Sequence, residues 1–214
     1  MATVGDRSDK LERYWDQQAD RYDKQMRFMD RRVFKDTREW VCSRATGQTL
    51  EVAMGTGLNL AWYPEGVQLT GLDLSEELLS VAHGRAADLE RSVTLVHGNA
   101  HGLPFDEASF DTVVCTFGLC SIPDVDTAIG EMHRVLRPGG GLLLADHIAS
   151  SSRPVRAVQW LVERLTIPMA EEHFRRRPLK LLPGAGFAVD TVERFKLGIV
   201  ERLMAHKPVD STPS

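Results

Sequence analysis

The chain has 214 residues, which suits a single domain, and its formal net charge is -4 at pH 7. A pI near 6.0 gives no overall attraction to phosphate backbones, so we expect no nucleic-acid partner. The three cysteines lack zinc or secreted-disulfide spacing, the first ten residues are polar, and no apolar run approaches the roughly 18 residues of a spanning helix. We therefore expect a cytoplasmic protein without a metal site or a transmembrane segment.

Apolar runs of strand length alternate with stretches of helical periodicity along the chain. Helices are predicted at 76–89 and 125–136, and residues 1–9 and 209–214 look disordered in composition. Strands are predicted at 49–53, 67–73, 93–97, 111–117, 141–147, 187–195 and 199–207. This alternation predicts an α/β fold with a doubly wound, mostly parallel, seven-stranded sheet. Only Lys196, Leu197 and Gly198 separate the last two strands, which are therefore predicted to form an antiparallel hairpin.

A glycine-containing turn follows the first predicted strand. Gly55 and Gly57 lie between this strand and the next element, where backbone can approach a ligand closely. A dinucleotide-binding fingerprint would have a third glycine at position 60, which is Leu60 here, so a nicotinamide cofactor is disfavoured. Without a ligand, the same glycines would serve only as a structural left-handed turn.

Asp73 ends the second predicted strand and lies 22 positions after Glu51. An acidic residue about 20 positions beyond such a turn is placed to bind ribose hydroxyls. The turn and this carboxylate together predict a ligand that contains adenosine.

These motifs resemble the opening motifs of class I S-adenosylmethionine-dependent methyltransferases, which have a Rossmann-like fold. Residues 98–105, 109–114 and 131–140 are similar to the later motifs of that superfamily. Within it, residues 14–144 most resemble the menaquinone and ubiquinone C-methyltransferase group. From 119–121 and 146–147 onwards, the sequence is more similar to bacterial phospholipid N-methyltransferases and to membrane-associated thiol methyltransferases of animals.

The resemblance implies one methyltransferase domain over 1–214 that uses S-adenosylmethionine and releases S-adenosylhomocysteine. Its parts would be lid helices at 10–44, a cofactor-binding core at 45–150, an acceptor-shaping region at 151–186 and the hairpin at 187–207. The acceptor would be a small, fairly lipophilic molecule such as a quinol, a polyketide or other secondary metabolite, a phospholipid headgroup or a thiol. A monomer and a homodimer both remain open.

The resemblance also implies a set of cofactor-binding residues. Asp73 would bind the ribose, and Tyr22 would close over the cofactor. Ala53 replaces the usual first glycine, and Asn99 replaces the usual aspartate; we expect cofactor binding to survive both departures. The full set is Tyr22, Glu51, Ala53, Gly55, Gly57, Asp73, Leu74, Asn99, Ala100, Thr116 and Phe117.

His147 is the candidate catalytic base, because it ends the fifth predicted strand at the ligand-binding edge of the sheet. A purely structural histidine is the alternative. The apolar and basic residues of 155–182 suit either a helix packed on the sheet with a solvated charged end or contact with a lipid or membrane surface. Two other functions stay open: an NAD-dependent oxidoreductase, and a non-catalytic or repurposed S-adenosylmethionine-binding protein.

Overall fold

A computed structural model describes residues 3–209 of the chain. Its sheet has seven strands in the order β3-β2-β1-β4-β5-β7-β6. The strands are β1 (Gln48–Val52), β2 (Gln68–Asp73), β3 (Val93–His97), β4 (Phe110–Thr116), β5 (Leu136–His147), β6 (Ala188–Phe195) and β7 (Val200–His206). The first five strands pair in parallel, and β7 runs antiparallel to both β5 and β6. The predicted Rossmann-like α/β fold with its C-terminal hairpin is confirmed.

The strand order reverses between β1 and β4, which are adjacent in the sheet. In open α/β sheets, ligands bind outside the carboxyl ends of the strands at such a switch point. Two buried apolar clusters cover the sheet, one including Leu50, Val113 and Leu142 and the other including Val114 and Leu143. Neighbouring residues of β4 thus point to opposite clusters, as the alternation of side chains along a strand requires.

Five α-helices surround the sheet within the described residues: α1 (Val4–Met29), α2 (Thr37–Cys42), α3 (Glu76–Asp88), α4 (Val125–Val135) and α5 (Arg153–Ala170). The expectation that residues up to 9 are disordered is wrong from Val4 onwards, whereas 1–2 and 210–214 lie outside the described residues. Thr3 caps α1 by accepting a hydrogen bond from the Asp6 amide, and the Asp6 carboxylate accepts one from the Thr3 amide. This capping box satisfies two amides that the helix leaves free.

Two of the three buried side chains of helix α5 are polar. Its buried residues are Gln159, Glu163 and Ala170, while several large apolar side chains on it are exposed. No helix in 3–209 has both the length and the apolar character needed to cross a bilayer.

Candidate active site

A cavity opens at the carboxyl ends of the central strands and beneath α1. Among its lining residues are eight of the eleven predicted cofactor-binding residues: Tyr22, Ala53, Gly55, Asp73, Leu74, Asn99, Ala100 and Phe117. The structure therefore brings most of the predicted set to one place. The others, Glu51, Gly57 and Thr116, and the candidate base His147 do not line the cavity.

The turn after β1 contains three residues with positive φ, namely Ala53 at 56°, Gly55 at 59° and Gly57 at 73°. A side chain at position 57 would place its Cβ 2.8 Å from Leu60 Cδ1, so this glycine is required by packing inside the protein. Gly55 faces the cavity, where a Cβ would lie 3.8 Å from Tyr22 Cε1. The two glycines thus have different roles in the turn, and only Gly55 offers its backbone to the cavity.

The Asp73 carboxylate is buried at the floor of the cavity. It accepts hydrogen bonds from the Gly55 amide at 2.7 Å and the Ser75 amide at 3.0 Å. Burial raises the pKa of this carboxyl, and the backbone hydrogen bonds act in the opposite direction. Each Asp73 oxygen retains a further lone pair, so the group can still accept from a ligand diol.

Asn99 and Ala100 line the cavity beyond Asp73, on the loop that follows β3. The Asn99 side-chain oxygen accepts a hydrogen bond from the His101 amide at 3.0 Å. This contact orients the side-chain amide and leaves its NH₂ group as a donor.

Glu51 lies in a buried polar network behind the cavity. Its carboxylate accepts hydrogen bonds from Asn59 Nδ2 at 2.6 Å and from the Tyr63 hydroxyl at 2.8 Å. Burial raises the pKa of Glu51 to about 7, although both hydrogen bonds favour the ionised form. Thr116 joins the network because its hydroxyl accepts from Asn59 Nδ2 at 2.8 Å.

Arg38 on α2 belongs to the same network and was missed at the sequence level. Its Nη1 donates to Asn59 Oδ1 at 3.0 Å and to Thr116 Oγ1 at 3.3 Å, and its Nε donates to Asp30 at 3.0 Å. The guanidinium carbon lies 5.0 Å from the centre of the Phe117 ring. Nη2 is buried and has no hydrogen-bond partner, which is costly for a charged donor. An arginine in a helix without a local motif gives no sequence signal for such contacts.

The helix α1 covers the cavity with Ser8, Leu11, Trp15 and Tyr22. It is held in place by hydrogen bonds from Ser75 to Asp16 at 2.5 Å and from Thr56 to Asp23 at 2.6 Å. Desolvation raises the pKa of Tyr22 to about 12, so its hydroxyl remains a donor at physiological pH. The cover therefore supplies both apolar surface and a neutral hydroxyl.

His147 lies beside this cavity rather than in it. Its ring stacks on Phe174 with 4.6 Å between ring centres, and its Nδ1 is buried without a hydrogen-bond partner. Asp146 Oδ1 is 3.9 Å from that nitrogen, but the carboxylate accepts from the amides of Cys120 and His147. Cys120, Asp146 and His147 have ligand-type atoms within 4.8 Å of one another. These contacts hold the loop after β4 against the end of β5.

Part of the chain is similar in sequence to known methyltransferases. Residues 50–144 match the protein family described as "Methyltransferase domain". The chain is 55% identical over 73 residues, 34% of its length, to a demethylmenaquinone methyltransferase of Staphylococcus epidermidis, of which it covers 30%. It is 37% identical over 120 residues, 55% of its length, to a phosphatidylethanolamine N-methyltransferase of Cereibacter sphaeroides, of which it covers 59%. The matches thus span less than two thirds of either relative.

A solved structure of a SAM-dependent methyltransferase from Methanosarcina mazei has a similar fold. It superposes with a TM-score of 0.63 at 23% identity, covering 76% of this chain and 93% of that one. Identity at this level shows the shared fold alone.

Proposed function

We propose that this chain, which belongs to the class I S-adenosylmethionine-dependent methyltransferases, binds S-adenosylmethionine in the cavity beneath α1 and transfers its methyl group to a small, fairly lipophilic acceptor. The observation that carries this proposal is the convergence of eight predicted cofactor-binding residues on one cavity. These residues come from α1 and from the ends of β1, β2, β3 and β4, which are far apart in the sequence, so their convergence supports the assignment.

The adenosine part of the cofactor fits the side of the cavity formed by the ends of β2 and β3. Asp73 would accept hydrogen bonds from the ribose hydroxyls, because its two oxygens have free lone pairs. Leu74 would pack against the adenine, and Asn99 and Ala100 would bind its polar edge. The buried carboxylate of Asp73 and the half-buried side-chain amide of Asn99 match the donors and acceptors of adenosine.

The methionine part fits the side formed by the turn after β1 and the end of β4. Arg38 does not line the cavity, but its guanidinium lies against the ring of Phe117, which does, and its Nη2 is unpartnered, so we assign it to the cofactor carboxylate. Glu51 and Thr116 would act indirectly. Each accepts a hydrogen bond from Asn59, and Asn59 in turn accepts one from Arg38. Through these contacts they would hold the guanidinium in position.

When bound, S-adenosylmethionine supplies a methyl group already activated by its positive sulfur. The chain then has to position the acceptor and exclude water from it. Leu11, Trp15, Ile122 and Pro123 line the cavity with apolar surface, which favours a lipophilic acceptor. The names of the two curated relatives, which act on demethylmenaquinone and phosphatidylethanolamine, agree with such an acceptor.

The cytoplasm is the proposed compartment of the reaction. Cys42, Cys115 and Cys120 are buried free thiols, and free thiols persist in reducing compartments.

Calorimetry with S-adenosylhomocysteine and with NAD tests the cofactor. We expect the former to bind and NAD to give no heat, because Leu60 is buried where the dinucleotide fingerprint needs a glycine. Asp73→Asn should weaken S-adenosylhomocysteine binding at least about tenfold, whereas Asp88→Asn on an exposed turn of α3 should not. NAD binding without S-adenosylhomocysteine binding would overturn the proposal.

Transfer of an isotopic methyl label from the cofactor tests the reaction. Quinols, phosphatidylethanolamine, aliphatic thiols and aromatic polyketides should be offered in turn to the purified protein. A labelled product that is lost in Asp73→Asn supports the proposal. Cofactor binding with no labelled product from any of these acceptors would instead favour a non-catalytic or repurposed cofactor-binding protein.

A further inference from the structure

The outer face of α5 is almost entirely apolar. Eleven of its residues are exposed, and nine of these are apolar: Pro154, Ala157, Val158, Trp160, Leu161, Val162, Leu165, Pro168 and Met169. The other two are Arg153 and Arg164, and no acidic side chain is exposed on this helix. Leu165 is 70% exposed and Leu161 is 59% exposed. A continuous exposed apolar face of this kind marks an interaction site.

The orientation of α5 is fixed by its buried polar residues. The Gln159 side chain accepts from the Ser150 amide at 2.9 Å and donates to the Ile148 carbonyl at 2.8 Å. Glu163 accepts from the Arg175 amide at 2.7 Å and also pairs with the Arg175 side chain. Turning the apolar face inwards would break all of these contacts and expose Gln159 and Glu163 in its place. The apolar face is therefore directed outwards by specific hydrogen bonds.

The charge around this face differs in sign from the charge of the whole chain. Residues 151–180 contain seven basic and three acidic residues, although the chain has a formal net charge of -4. The exposed charged residues in this segment are all basic: Arg153, Arg164, Arg175 and Lys180. The Arg164 guanidinium lies 4.0 Å from the centre of the exposed Trp160 ring. Apolar and tryptophan side chains bordered by arginine suit the interface of an anionic bilayer.

We propose that α5 docks in the plane of an anionic lipid bilayer surface, with its apolar face in the interface and its basic residues at the lipid phosphates. The helix is amphipathic in the sense that such in-plane helices require, since one face is apolar and the other is polar. A second copy of the chain fits less well, because a symmetric contact would bring the same basic residues against one another.

The docking face adjoins the cover of the cavity. Lys10 on α1 donates to the Pro168 carbonyl, and Arg7 lies 3.7 Å from Glu171, just after α5. Ser8 and Leu11, on the same turns of α1, line the cavity. A docked bilayer would therefore lie next to the cavity cover, and a lipophilic acceptor could enter from it; this last step alone rests on the proposed function.

Co-sedimentation with vesicles tests the docking without any activity measurement. The full chain should bind vesicles of equal parts phosphatidylcholine and phosphatidylglycerol and should bind pure phosphatidylcholine vesicles much more weakly. Leu161→Glu with Leu165→Glu should reduce binding at least about tenfold, because both charges enter the interface. The control Leu89→Glu with Val192→Glu adds the same charge at exposed apolar positions of other elements and should bind like the original chain.

Trp160 reports whether α5 itself meets the lipid. Lipids brominated on their acyl chains should quench tryptophan fluorescence in the original chain, and Trp160→Phe should lose most of this quenching. Circular dichroism should show that each variant is folded. Absence of vesicle binding, equal loss in the control variant, or unchanged quenching in Trp160→Phe would overturn the proposal. So would a dimer, detected by sedimentation without lipid, that Leu161→Glu with Leu165→Glu dissociates.

Discussion

Ala53 and Gly118 lie next to each other in the wall of the cavity, and a Cβ built on Gly118 would lie 2.7 Å from the Ala53 Cβ. Ala53 has a φ of 56°, a conformation that glycine adopts more easily. The methyl group of Ala53 is accommodated because residue 118 has no side chain. The alanine at position 53 is therefore matched by the neighbouring glycine at position 118.

We expect Ala53→Gly to raise the free energy of unfolding by at most about 1 kcal/mol, since relief of the left-handed conformation is partly offset by the entropy of glycine. Cofactor affinity should stay within about tenfold of the original, because Gly55 and Asp73 are unchanged. Chemical unfolding and calorimetry with S-adenosylhomocysteine measure the two effects.

Gly118→Ala should be destabilising by about 1–3 kcal/mol, because its methyl group would overlap that of Ala53. Combining it with Ala53→Gly should recover part of the loss; recovery stays partial because Cys115 Sγ would still lie 3.1 Å from the new Cβ. If the effects of the two substitutions on the free energy of unfolding were strictly additive, the proposed contact between residues 53 and 118 would be contradicted.

Substitution of Arg38 tests binding of the amino-acid part of the cofactor separately from binding of its adenosine part. Arg38→Met should weaken S-adenosylhomocysteine binding at least about tenfold, since a charged hydrogen bond to its carboxylate is lost. Adenosine lacks that carboxylate, so its affinity should be unchanged. Calorimetry with both ligands makes the comparison within one variant.

Arg44→Met is the matched control, because Arg44 is an exposed arginine that also lies over an aromatic ring, that of Trp40. It should alter neither affinity. An equal loss of adenosine and S-adenosylhomocysteine binding in Arg38→Met would show that the residue acts by supporting the fold.

The strands could be predicted from the sequence because a buried parallel strand is a local apolar run bounded by turn residues. The start of α1 at Val4 could not be predicted from composition, since it depends on the paired hydrogen bonds of Thr3 and Asp6. The orientation of the apolar face of α5 could not be predicted from the sequence either. Periodicity shows that a helix has an apolar face, but only the contacts of Gln159 and Glu163 show that this face points outwards.

The site was predictable to the extent that it lies on strand ends. Asp73 and the turn at 53–57 follow buried strands directly, and their spacing carries the signal. Arg38 meets Asn59 and Thr116 at separations of 21 and 78 residues, which no local pattern reports. Glu51 belongs to the predicted cofactor-binding set, but its hydrogen bonds to Asn59 and Tyr63 place it behind the cavity.

The raised pKa of Glu51 makes stability depend on pH. Its folded-state pKa is about 7 and its reference value is 4.5, so between these values the folded chain binds the proton more tightly than the unfolded chain. The free energy of unfolding should therefore fall as the pH rises through this window, by on the order of 3 kcal/mol from this group.

Glu51→Gln removes the titration while keeping a similar shape, so its free energy of unfolding should fall less between about pH 5 and pH 8. Urea unfolding at both pH values measures the difference. Asp73, Asp146 and Glu172 also have raised pKa values because of desolvation, and they remain in both chains. Glu39→Gln, at an exposed position of α2, should retain the slope of the original. Identical slopes in Glu51→Gln and the original chain would show that Glu51 is ionised throughout.

We predict that His147 is the catalytic base. With an acceptor that must lose a proton, His147→Ala should lower kcat by about a hundredfold or more, while the affinity for S-adenosylhomocysteine stays the same because His147 does not line the cofactor cavity. Its buried Nδ1 has no hydrogen-bond partner, and Asp146 and Phe174 hold the ring at the end of β5. Steady-state kinetics and calorimetry on the same preparation give both values.

The control for this change is His133→Ala. His133 also packs on a phenylalanine, with its ring centre 5.0 Å from that of Phe187, but it lies on α4. Both variants lose a histidine–aromatic contact, so a similar loss of stability is expected in each. Only His147→Ala should lose turnover, because only His147 lies at the carboxyl end of a parallel strand, beside the cavity. Equal turnover in the two variants would leave His147 with a structural role alone.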